Sequence, residues 1–442
     1  MMLRSTAGWV SLVFVGCTGD LGDPHVTASP PMTASDTAMD PGTSGGPVVP
    51  TSGAAEPDTG TAEPDSGAAE PDTGAADPDT GAPATTTDDS ATTIAGSSSG
   101  ADEDGTTGST VDASKVVYVG RYDDSDPEHV RFGWSGSGFL FYMYGTEAYV
   151  ELEDTGSNYY TILIDGQHQT DPLVTSPGTY VYPLAKNLIL GHHQIDMYRR
   201  SEGAFGVTRV VGFDLGLGEM LDLELGTRRH LEIIGDGVAA GWGVYGSPVC
   251  NLTVNDQDHY VTFANRLAEG STADTELHTV AWTGMGLVKN SDPNLSETIP
   301  QVYDRTLANE PDNAWDYARW TADVVLVNLG NSDFAGDDDP TEEAFVGAYV
   351  DFLAHVREVN PDAFILVLAP WFYGAEKTLI AGYLDSVVEQ RHAAGDLEVA
   401  VENINLAFNV EDGCTQYPSD AIHKEMTFSL DDALIEHDAW PW

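Results

Sequence analysis

The sequence predicts an α/β protein in which an N-terminal, jelly-roll-like β-sandwich precedes a domain built on a parallel sheet. Two observations support this fold class. Between residues 115 and 225, short runs rich in Val, Tyr, Phe and Thr alternate with turn residues about every ten positions, as in a sandwich. From residue 226 onward, apolar runs of strand length alternate with amphipathic stretches, which predicts parallel strands covered by helices.

The individual elements follow from these runs. The sandwich strands are expected at Lys115–Val119, Val130–Trp134, Gly138–Tyr144, Ala148–Glu153, Tyr159–Ile164, Gly178–Pro183, His192–Arg199 and Val207–Leu215. The parallel strands are expected at Leu231–Ile234, His278–Trp282, Val324–Leu329, Phe364–Leu368 and Leu397–Val401. Between them, Thr341 is suited to cap a helix through Val356, and a second helix is expected over Tyr260–Ala268.

The charge of the chain excludes one class of partner. The formal net charge is −53, and residues 115–442 alone hold 53 acidic against 17 basic side chains. Nucleic-acid binding needs a basic face, so a nucleic-acid partner is excluded. With 41% hydrophobic residues the chain still has enough apolar material for a core. No apolar run after the N-terminus is long enough to span a membrane, so any membrane contact is expected through a lipid anchor.

The first 17 residues are predicted to be a lipoprotein signal peptide. Arg4 precedes a short apolar stretch, and Phe14-Val15-Gly16-Cys17 resembles a bacterial lipobox in which Cys17 becomes the lipidated first residue. The protein is then exported and anchored at the bacterial cell surface or in the periplasm. Plain secretion and a chance match are the alternatives.

Residues 18–114 are predicted to be a disordered acidic stalk. They hold 18 acidic residues, no Lys or Arg, and a seven-residue repeat of the type Ala-Glu-Pro-Asp-Thr-Gly, first seen at 55–60. Few large apolar side chains are present to offset the entropy of ordering, and prolines and like charges keep such a segment extended. One interpretation is a spacer that holds the domains at residues 115–225 and 226–442 away from a membrane. An inert tail is the other.

The residues just after the parallel strands form an ordered set of motifs. Gly235-Asp236-Gly237 follows the first strand, Trp282-Thr283-Gly284 the second, Gly330-Asn331-Ser332-Asp333 the third, and Gly413-Cys414-Thr415-Gln416-Tyr417-Pro418 comes near the end. With Gly120-Arg121, Trp134-Ser135-Gly136-Ser137-Gly138, Ile164-Asp165-Gly166 and Trp315-Asp316-Tyr317, these blocks resemble the SGNH/GDSL hydrolases, and closely the two-domain carbohydrate esterase family 2. The resemblance implies a flavodoxin-like hydrolase domain and removal of acetyl groups from plant cell-wall polysaccharides.

The motif residues that carry catalysis in that family are replaced here. The resemblance puts Gly237 at the serine nucleophile, Ser332 at the oxyanion-binding Asn, Thr415 at the Asp and Tyr417 at the general base, and Gly284 retains the second-block glycine. Acyl transfer needs an activated hydroxyl, a base and oxyanion donors. Glycine has no side chain, and a Tyr titrates near 10, so it is a poor base at neutral pH. The sequence therefore predicts a pseudoenzyme.

An active esterase with a relocated site is the alternative. Ser247, Ser332, His259 and His423 lie near the first, third and last motifs in the sequence and are the candidates for displaced groups. Three of them also have an ordinary structural interpretation. Ser332, at a strand end, would be a hydrogen-bonding loop residue, His259 a surface or packing residue, and His423 a packing residue of the final helix.

Aromatic residues beside the motifs predict what such a cleft would bind. Sugars are recognised by flat aromatic faces with polar groups around them. The proposed ligand-binding residues are Trp242, Trp371, Tyr373 and Tyr417, with Trp282 and Phe372 beside them and Trp282 expected in the core. A polysaccharide is the expected ligand. A structural or protein-interaction module remains an alternative.

The three cysteines give one further expectation. With Cys17 assigned to lipid, Cys250 and Cys414 remain as a pair in an exported protein, where disulfides persist. No cofactor and no metal site is expected. The run Asp337-Asp338-Asp339 lacks a recognised calcium-loop spacing and is interpreted as a solvated turn.

Overall fold

The computed structural model describes residues 112–246, 249–270, 274–370, 374–404, 413–414 and 417–439, and the statements below refer to these residues. The predicted signal peptide with Cys17 and nearly all of the predicted stalk lie outside the described residues. So do Ser247, Trp371, Phe372, Tyr373 and Thr415. Among the helices that the structure describes, none combines the length and the apolarity needed to cross a bilayer.

The N-terminal part is a sandwich of two antiparallel sheets. Its strands are β1 (Val117–Val119), β2 (Tyr122–Asp123), β3 (Arg131–Phe132), β4 (Gly138–Gly145), β5 (Ala148–Asp154), β6 (Tyr159–Ile164), β7 (Gln167–His168), β8 (Leu173–Val174), β9 (Gly178–Ala185), β10 (Gly191–Arg199), β11 (Thr208–Asp214) and β12 (Glu219–Leu221). Sheet A has the order β1-β4-β10-β6-β7, with β12 also paired to β4 and β8 to β6. Sheet B has the order β2-β3-β11-β5-β9.

The sandwich core follows from the alternation of side chains along each strand. In β5, Ala148, Val150 and Leu152 are buried, while the residues between them are partly exposed. A strand sends successive side chains to opposite faces, so the apolar set meets the inner face of the other sheet. Aromatic residues such as Phe139 and Phe141 of β4 fill the space between the sheets.

The C-terminal part is a parallel sheet with helices on both faces. Its strands are β13 (Arg229–Gly235), β14 (Thr275–Ala281), β15 (Val324–Asn328), β16 (Phe364–Leu368) and β17 (Val399–Glu402), and its helices are α1 (Gly237–Ala240), α2 (Phe263–Gly270), α3 (Ile299–Val302), α4 (Glu342–Val359), α5 (Gly374–Ala393) and α6 (Asp420–Glu436). The strand order β14-β13-β15-β16-β17 is that of flavodoxin-like folds. The predicted fold class is confirmed.

A pair of helices packs on each face of this sheet, so the core has two halves. Side chains of α2 and α6 pack on one face, and side chains of α4 and α5 pack on the other. The predicted N-cap of α4 is present, because the Thr341 hydroxyl accepts a hydrogen bond from the Ala344 N–H (3.3 Å). The helix expected over Tyr260–Ala268 begins later: residues His259–Val261 form a 3-10 turn, and α2 starts at Phe263.

Buried charged groups join the sandwich to the parallel sheet. The Arg121 guanidinium, which follows β1, donates to Glu232 Oε1 of β13 at 2.8 Å, and both side chains are fully buried. Arg121 also donates to the Tyr303 carbonyl. A second pair, Arg200 Nη1 to Asp258 Oδ2, lies at 3.1 Å. The turn after β10 reaches the carboxyl end of the parallel sheet, because Glu202 in that turn accepts a hydrogen bond from the Thr283 N–H just after β14 (2.7 Å).

Candidate functional site

The motif residues meet at the carboxyl ends of β13 and β15. The chain leaves β13 through Asp236, whose side chain caps the short helix α1 by accepting from the Val238 N–H (3.4 Å). It leaves β15 through Asn331 and Ser332. The strand order reverses between β13 and β15, and ligands of open α/β sheets bind at such a switch point. The motif residues after β13 and β15 therefore lie at a switch point of the sheet, and their role there stays a prediction.

The Tyr417 ring fills the space beside Gly237. A Cβ atom on Gly237 would lie 2.8 Å from Tyr417 Cε1, 3.0 Å from Tyr417 Oη and 3.1 Å from Thr283 Oγ1. Gly243, at φ +71°, comes equally close at the base of the same side chain, since its Cβ would lie 2.7 Å from the Tyr417 Cβ. The Tyr417 N–H donates to the Cys414 carbonyl (3.1 Å). The ring is thus held in a slot that two glycines leave open.

A buried carboxylate occupies the centre of the site. Asp236 is 1% exposed and accepts hydrogen bonds from the Ser332 N–H (3.0 Å), the Ser332 hydroxyl (3.2 Å) and the Asn331 amide (3.3 Å). Burial, with a smaller contribution from the nearby Asp333 charge, raises the pKa of Asp236 to about 7 against the lowering effect of these hydrogen bonds. Ser332, the residue at the oxyanion-donor position, is therefore turned toward Asp236.

A second buried carboxyl enters the site from the sandwich. Glu202 follows β10, and its Oε2 accepts from the Thr283 N–H at 2.7 Å. Burial raises the pKa of Glu202 to about 7, and the charge of Asp236 contributes in the same direction. Sequence reasoning missed Glu202, because it lies in the other domain and outside every motif.

The electrostatics keep the Tyr417 phenol neutral. Burial raises its pKa above the usual value near 10, and the negative charges of Asp236 and Glu202 raise it further. A phenol that ionises only at high pH does not accept a proton at neutral pH. At the position that the motif comparison assigns to the general base, the side chain is therefore unsuited to that role.

The other motif residues have structural partners. Asp333 accepts from the backbone N–H groups of Leu287, Val288 and Lys289 at 2.7–3.0 Å, which fixes the loop after β14. Gly284 has φ +83°, a left-handed conformation that favours glycine. Residues 337–339 are exposed and lie in the loop between β15 and α4.

Neither candidate histidine has an exposed ring. His259 and His423 are fully buried. His259 Nε2 lies 2.8 Å from the Thr279 hydroxyl, and the Phe263 N–H donates to His423 Nδ1 at 3.2 Å. Burial lowers the pKa of both rings to about 3. Their contacts are those of packing residues inside the fold.

The described aromatic residues divide between the site and the core. Trp242 is partly buried and stacks on Phe205 of the sandwich, with ring centroids 6.0 Å apart and an interplanar angle of 21°. Trp282 lies edge-on to the buried Trp134 and packs against the apolar core, as the sequence predicted.

The structure joins Cys250 and Cys414 in a disulfide. Their Cα atoms lie 5.6 Å apart, within the range that the bond requires. Asp256 lies near both sulfurs, but cysteines in a disulfide are not thiolate metal ligands. The disulfide connects the loop after α1 to the segment that carries Tyr417.

Comparisons with known proteins agree with this architecture. Residues 118–222 match the family model described as carbohydrate esterase 2 N-terminal. The cellulase/esterase CelE of Acetivibrio thermocellus is 31% identical over 323 residues, which are 71% of this chain and 38% of CelE. This chain therefore spans well under half of that relative. An acetylxylan esterase / glucomannan deacetylase of Cellvibrio japonicus is 24% identical over 310 residues, or 67% of this chain and 82% of that protein.

A solved structure extends the likeness to three dimensions. The structure of a family two carbohydrate esterase from Clostridium thermocellum, in complex with cellohexaose, superposes with a TM-score of 0.70 at 29% identity. The match covers 74% of this chain and 99% of that one. The chain described here therefore resembles the family 2 carbohydrate esterases.

Proposed function

We propose that this SGNH-hydrolase-like chain is a surface-tethered, catalytically inactive relative of the family 2 carbohydrate esterases that binds polysaccharide in the cleft where those enzymes would act. The observation that carries the proposal is the Tyr417 ring, which fills the position that a side chain on Gly237 would take. With the nucleophile position empty of a hydroxyl and the base position occupied by a neutral phenol, the two groups that start acyl transfer are both missing.

Polysaccharide binding is supported by what remains around the site. Trp242 and Phe205 form a stacked, partly exposed aromatic pair. Trp242 directly precedes Gly243, which lies against Tyr417. Stacking surfaces with a few oriented polar groups suit a neutral sugar chain. The similar Clostridium thermocellum structure was obtained with cellohexaose, so cellohexaose is the first ligand to test.

The catalytic half of the proposal is tested by turnover. The full chain is assayed with an aryl acetate and with acetylated xylan, and we expect no hydrolysis above the uncatalysed rate. Hydrolysis that survives Gly237→Ala would contradict the proposal and would indicate a relocated site.

The binding half is tested by calorimetric titration with cellohexaose. We expect Trp242→Ala to weaken binding at this cleft about tenfold, since a stacking contact contributes about 1 kcal/mol or more. Tyr180→Ala is the matched control, because Tyr180 is a half-exposed tyrosine of β9 in the sandwich. Equal effects of the two substitutions would remove the support for a cleft site and favour a structural or protein-interaction role.

One contact favours the alternative of an active esterase. The Ser332 hydroxyl lies 3.2 Å from Asp236 Oδ2, which is the arrangement of a nucleophile and a base. Ser332 is only 4% exposed, however, so a substrate would have to displace its surroundings. If the turnover assay finds activity, Ser332→Ala decides whether this pair carries it.

Tethering is proposed through Cys17, with residues 18–114 as a spacer. Expressed in a bacterial host, the wild-type chain is expected to incorporate labelled palmitate and to sediment with membranes, and Cys17→Ser is expected to do neither. Release of the wild-type protein into the medium in a soluble form would contradict the lipid anchor and leave plain secretion.

A further inference from the structure

We propose a second polysaccharide site on this protein, on the outward face of sheet A, where two strands carry a strip of aromatic and polar side chains that leads into a cavity beside α2 and β14. The strip comprises Tyr142 and Tyr144 of β4 with His192, Gln194, Asp196 and Tyr198 of β10, and is called the sheet A strip below. It is separate from the cleft at Gly237 and does not depend on whether that cleft binds glycan.

The register of β4 and β10 sets the order of the sheet A strip. His192 pairs with Tyr144 and Gln194 with Tyr142, and Asp196 pairs with Leu140. Alternate residues of a strand share one face and lie about 6.6 Å apart along it. The six side chains therefore form successive rows on one side of the sheet, opposite to the face that packs in the sandwich core.

The aromatic rows form an open surface. His192 stacks on Tyr142 with centroids 5.6 Å apart at 19°, and Tyr144 meets the same ring edge-on at 5.2 Å. Tyr144 is 38% exposed, and His192 is exposed. These contacts fix the ring orientations, and the exposed Tyr144 and His192 rings present aromatic surface to solvent. A sugar would therefore find a preformed stacking surface and bind with little ordering cost.

The other end of the sheet A strip is a cavity of about 360 Å³, whose lining includes Gln194, Asp196, Tyr198, Asn265 and Glu269. Small-molecule sites have volumes of about 300–1,000 Å³. Asp196 is 5% exposed, and its Oδ1 accepts from Gln194 Nε2 at 2.9 Å. A carboxylate offers about four acceptor positions, so Asp196 has capacity left for hydroxyl donors inside the cavity.

The chemistry of these walls selects an uncharged polyhydroxyl ligand. An aromatic wall at Tyr198, amides at Gln194 and Asn265, and carboxyl acceptors at Asp196 and Glu269 match the faces and hydroxyls of a sugar. Arg228 also lines the cavity, but it is paired with Asp274 (3.3 Å) and Glu276 (3.6 Å). The carboxyls of these walls, on a chain of net charge −53, therefore repel acidic polysaccharides. We therefore infer a neutral glycan whose end enters the cavity while the following units lie on the aromatic rows.

The test is a calorimetric titration of the full chain, combined with hydrogen exchange. Cellohexaose, xylohexaose and mannohexaose are the probes. For at least one of them we expect binding that persists in Trp242→Ala and that slows amide exchange in peptides from β4 and β10. Tyr142→Ala is expected to weaken this binding about tenfold. Asp196→Asn, which keeps the side-chain volume, is expected to weaken it as well, so the result does not depend on one variant.

The matched control is Tyr180→Ala, which removes a half-exposed tyrosine from β9 in sheet B. It is expected to leave binding unchanged. The proposal is overturned if none of the three probes slows exchange in β4 and β10, if Tyr142→Ala and Tyr180→Ala bind alike, or if Trp242→Ala abolishes all binding. That last result would leave the proposal of a cleft site intact, so the two proposals can be contradicted independently of each other.

Discussion

Tyr417 Cε1 lies 2.8 Å from the point where a Cβ atom on Gly237 would begin, although the two residues are 180 positions apart in the chain. Real Cβ atoms essentially never come so close to another heavy atom, so the tyrosine and the glycine are mutually dependent. A side chain at residue 237 and a tyrosine ring at residue 417 compete for one space. The arrangement links the two replaced motif positions in a single packing unit.

Gly237→Ser is therefore expected to destabilise the protein without creating an esterase. The added atoms must displace the partly buried Tyr417 ring, and overpacking of this kind costs about 1–3 kcal/mol. The new hydroxyl would still lack a base. Thermal unfolding and aryl acetate turnover are the measurements.

The double variant Gly237→Ser, Tyr417→His is the matched comparison. The imidazole is smaller than the tyrosine ring and is expected to relieve the clash. The double variant should therefore be more stable than Gly237→Ser alone. If Gly237→Ser is as stable as wild type, the ring is not held in place as described.

The two buried carboxyls of the site predict how stability depends on pH. Folding raises the pKa of both Asp236 and Glu202 to about 7. The folded protein therefore keeps these protons at pH values where the unfolded chain, with carboxyl pKa values of about 4, has released them. The free energy of unfolding is expected to fall as pH rises from about 4 to about 7, and to stay low above that.

Glu202→Gln keeps an oxygen acceptor for the Thr283 N–H and removes one of the two carboxyls whose pKa folding raises. We expect its loss of stability between pH 5 and pH 8 to be smaller than that of wild type by about 1–2 kcal/mol. Denaturant unfolding at the two pH values measures this, with Glu153→Gln on the exposed side of β5 as control. If the unfolding free energy of Glu202→Gln changes with pH as steeply as that of wild type, the Glu202 carboxyl of the wild-type protein is not protonated near neutral pH.

The sequence predicted the architecture well where hydrophobic periodicity is strong. The limits of Tyr159–Ile164 and Phe364–Leu368 agree with the structure to the residue. The two-residue strands β2, β7 and β8 were not predicted, since two residues carry no periodicity. The polar contacts of Asp258 and Thr262 around the 3-10 turn at 259–261 explain the later start of α2.

The site was predictable only in part. The motifs placed Gly237 and Ser332 after β13 and β15, and strand ends of a parallel sheet share one edge. The position of Tyr417 came only from the family resemblance. The motifs did not reveal that the Tyr417 ring fills the space at Gly237, since that depends on packing between distant segments. Glu202 carried no local signal, because its carboxyl reaches the site only through the contact between the domains.

The buried ion pair between Arg121 and Glu232 predicts strong coupling between the domains. Glu232→Gln leaves the Arg121 charge buried without its counterion, which is expected to cost about 3–5 kcal/mol of unfolding free energy. The exposed pair Arg209–Glu153, at 2.8 Å on the sandwich surface, is the control, and Glu153→Gln is expected to cost less than about 1 kcal/mol. Equal effects in denaturant unfolding would contradict the assignment of Arg121 as a buried bridge.

The disulfide between Cys250 and Cys414 predicts the behaviour of the segment that carries Tyr417. Non-reducing peptide mapping is expected to recover the two cysteines in one linked peptide pair. Replacing both with Ala is expected to lower the unfolding free energy by about 2–5 kcal/mol, because the bond closes a loop between residues 164 positions apart. The Cys414 carbonyl accepts from the Tyr417 N–H, so the Ala variant should also exchange its amides faster around residue 417.

Cys17→Ser, which leaves the pair untouched, serves as control and should map and unfold like wild type. Alkylation of both cysteines by iodoacetamide without prior reduction would show that the bond is absent.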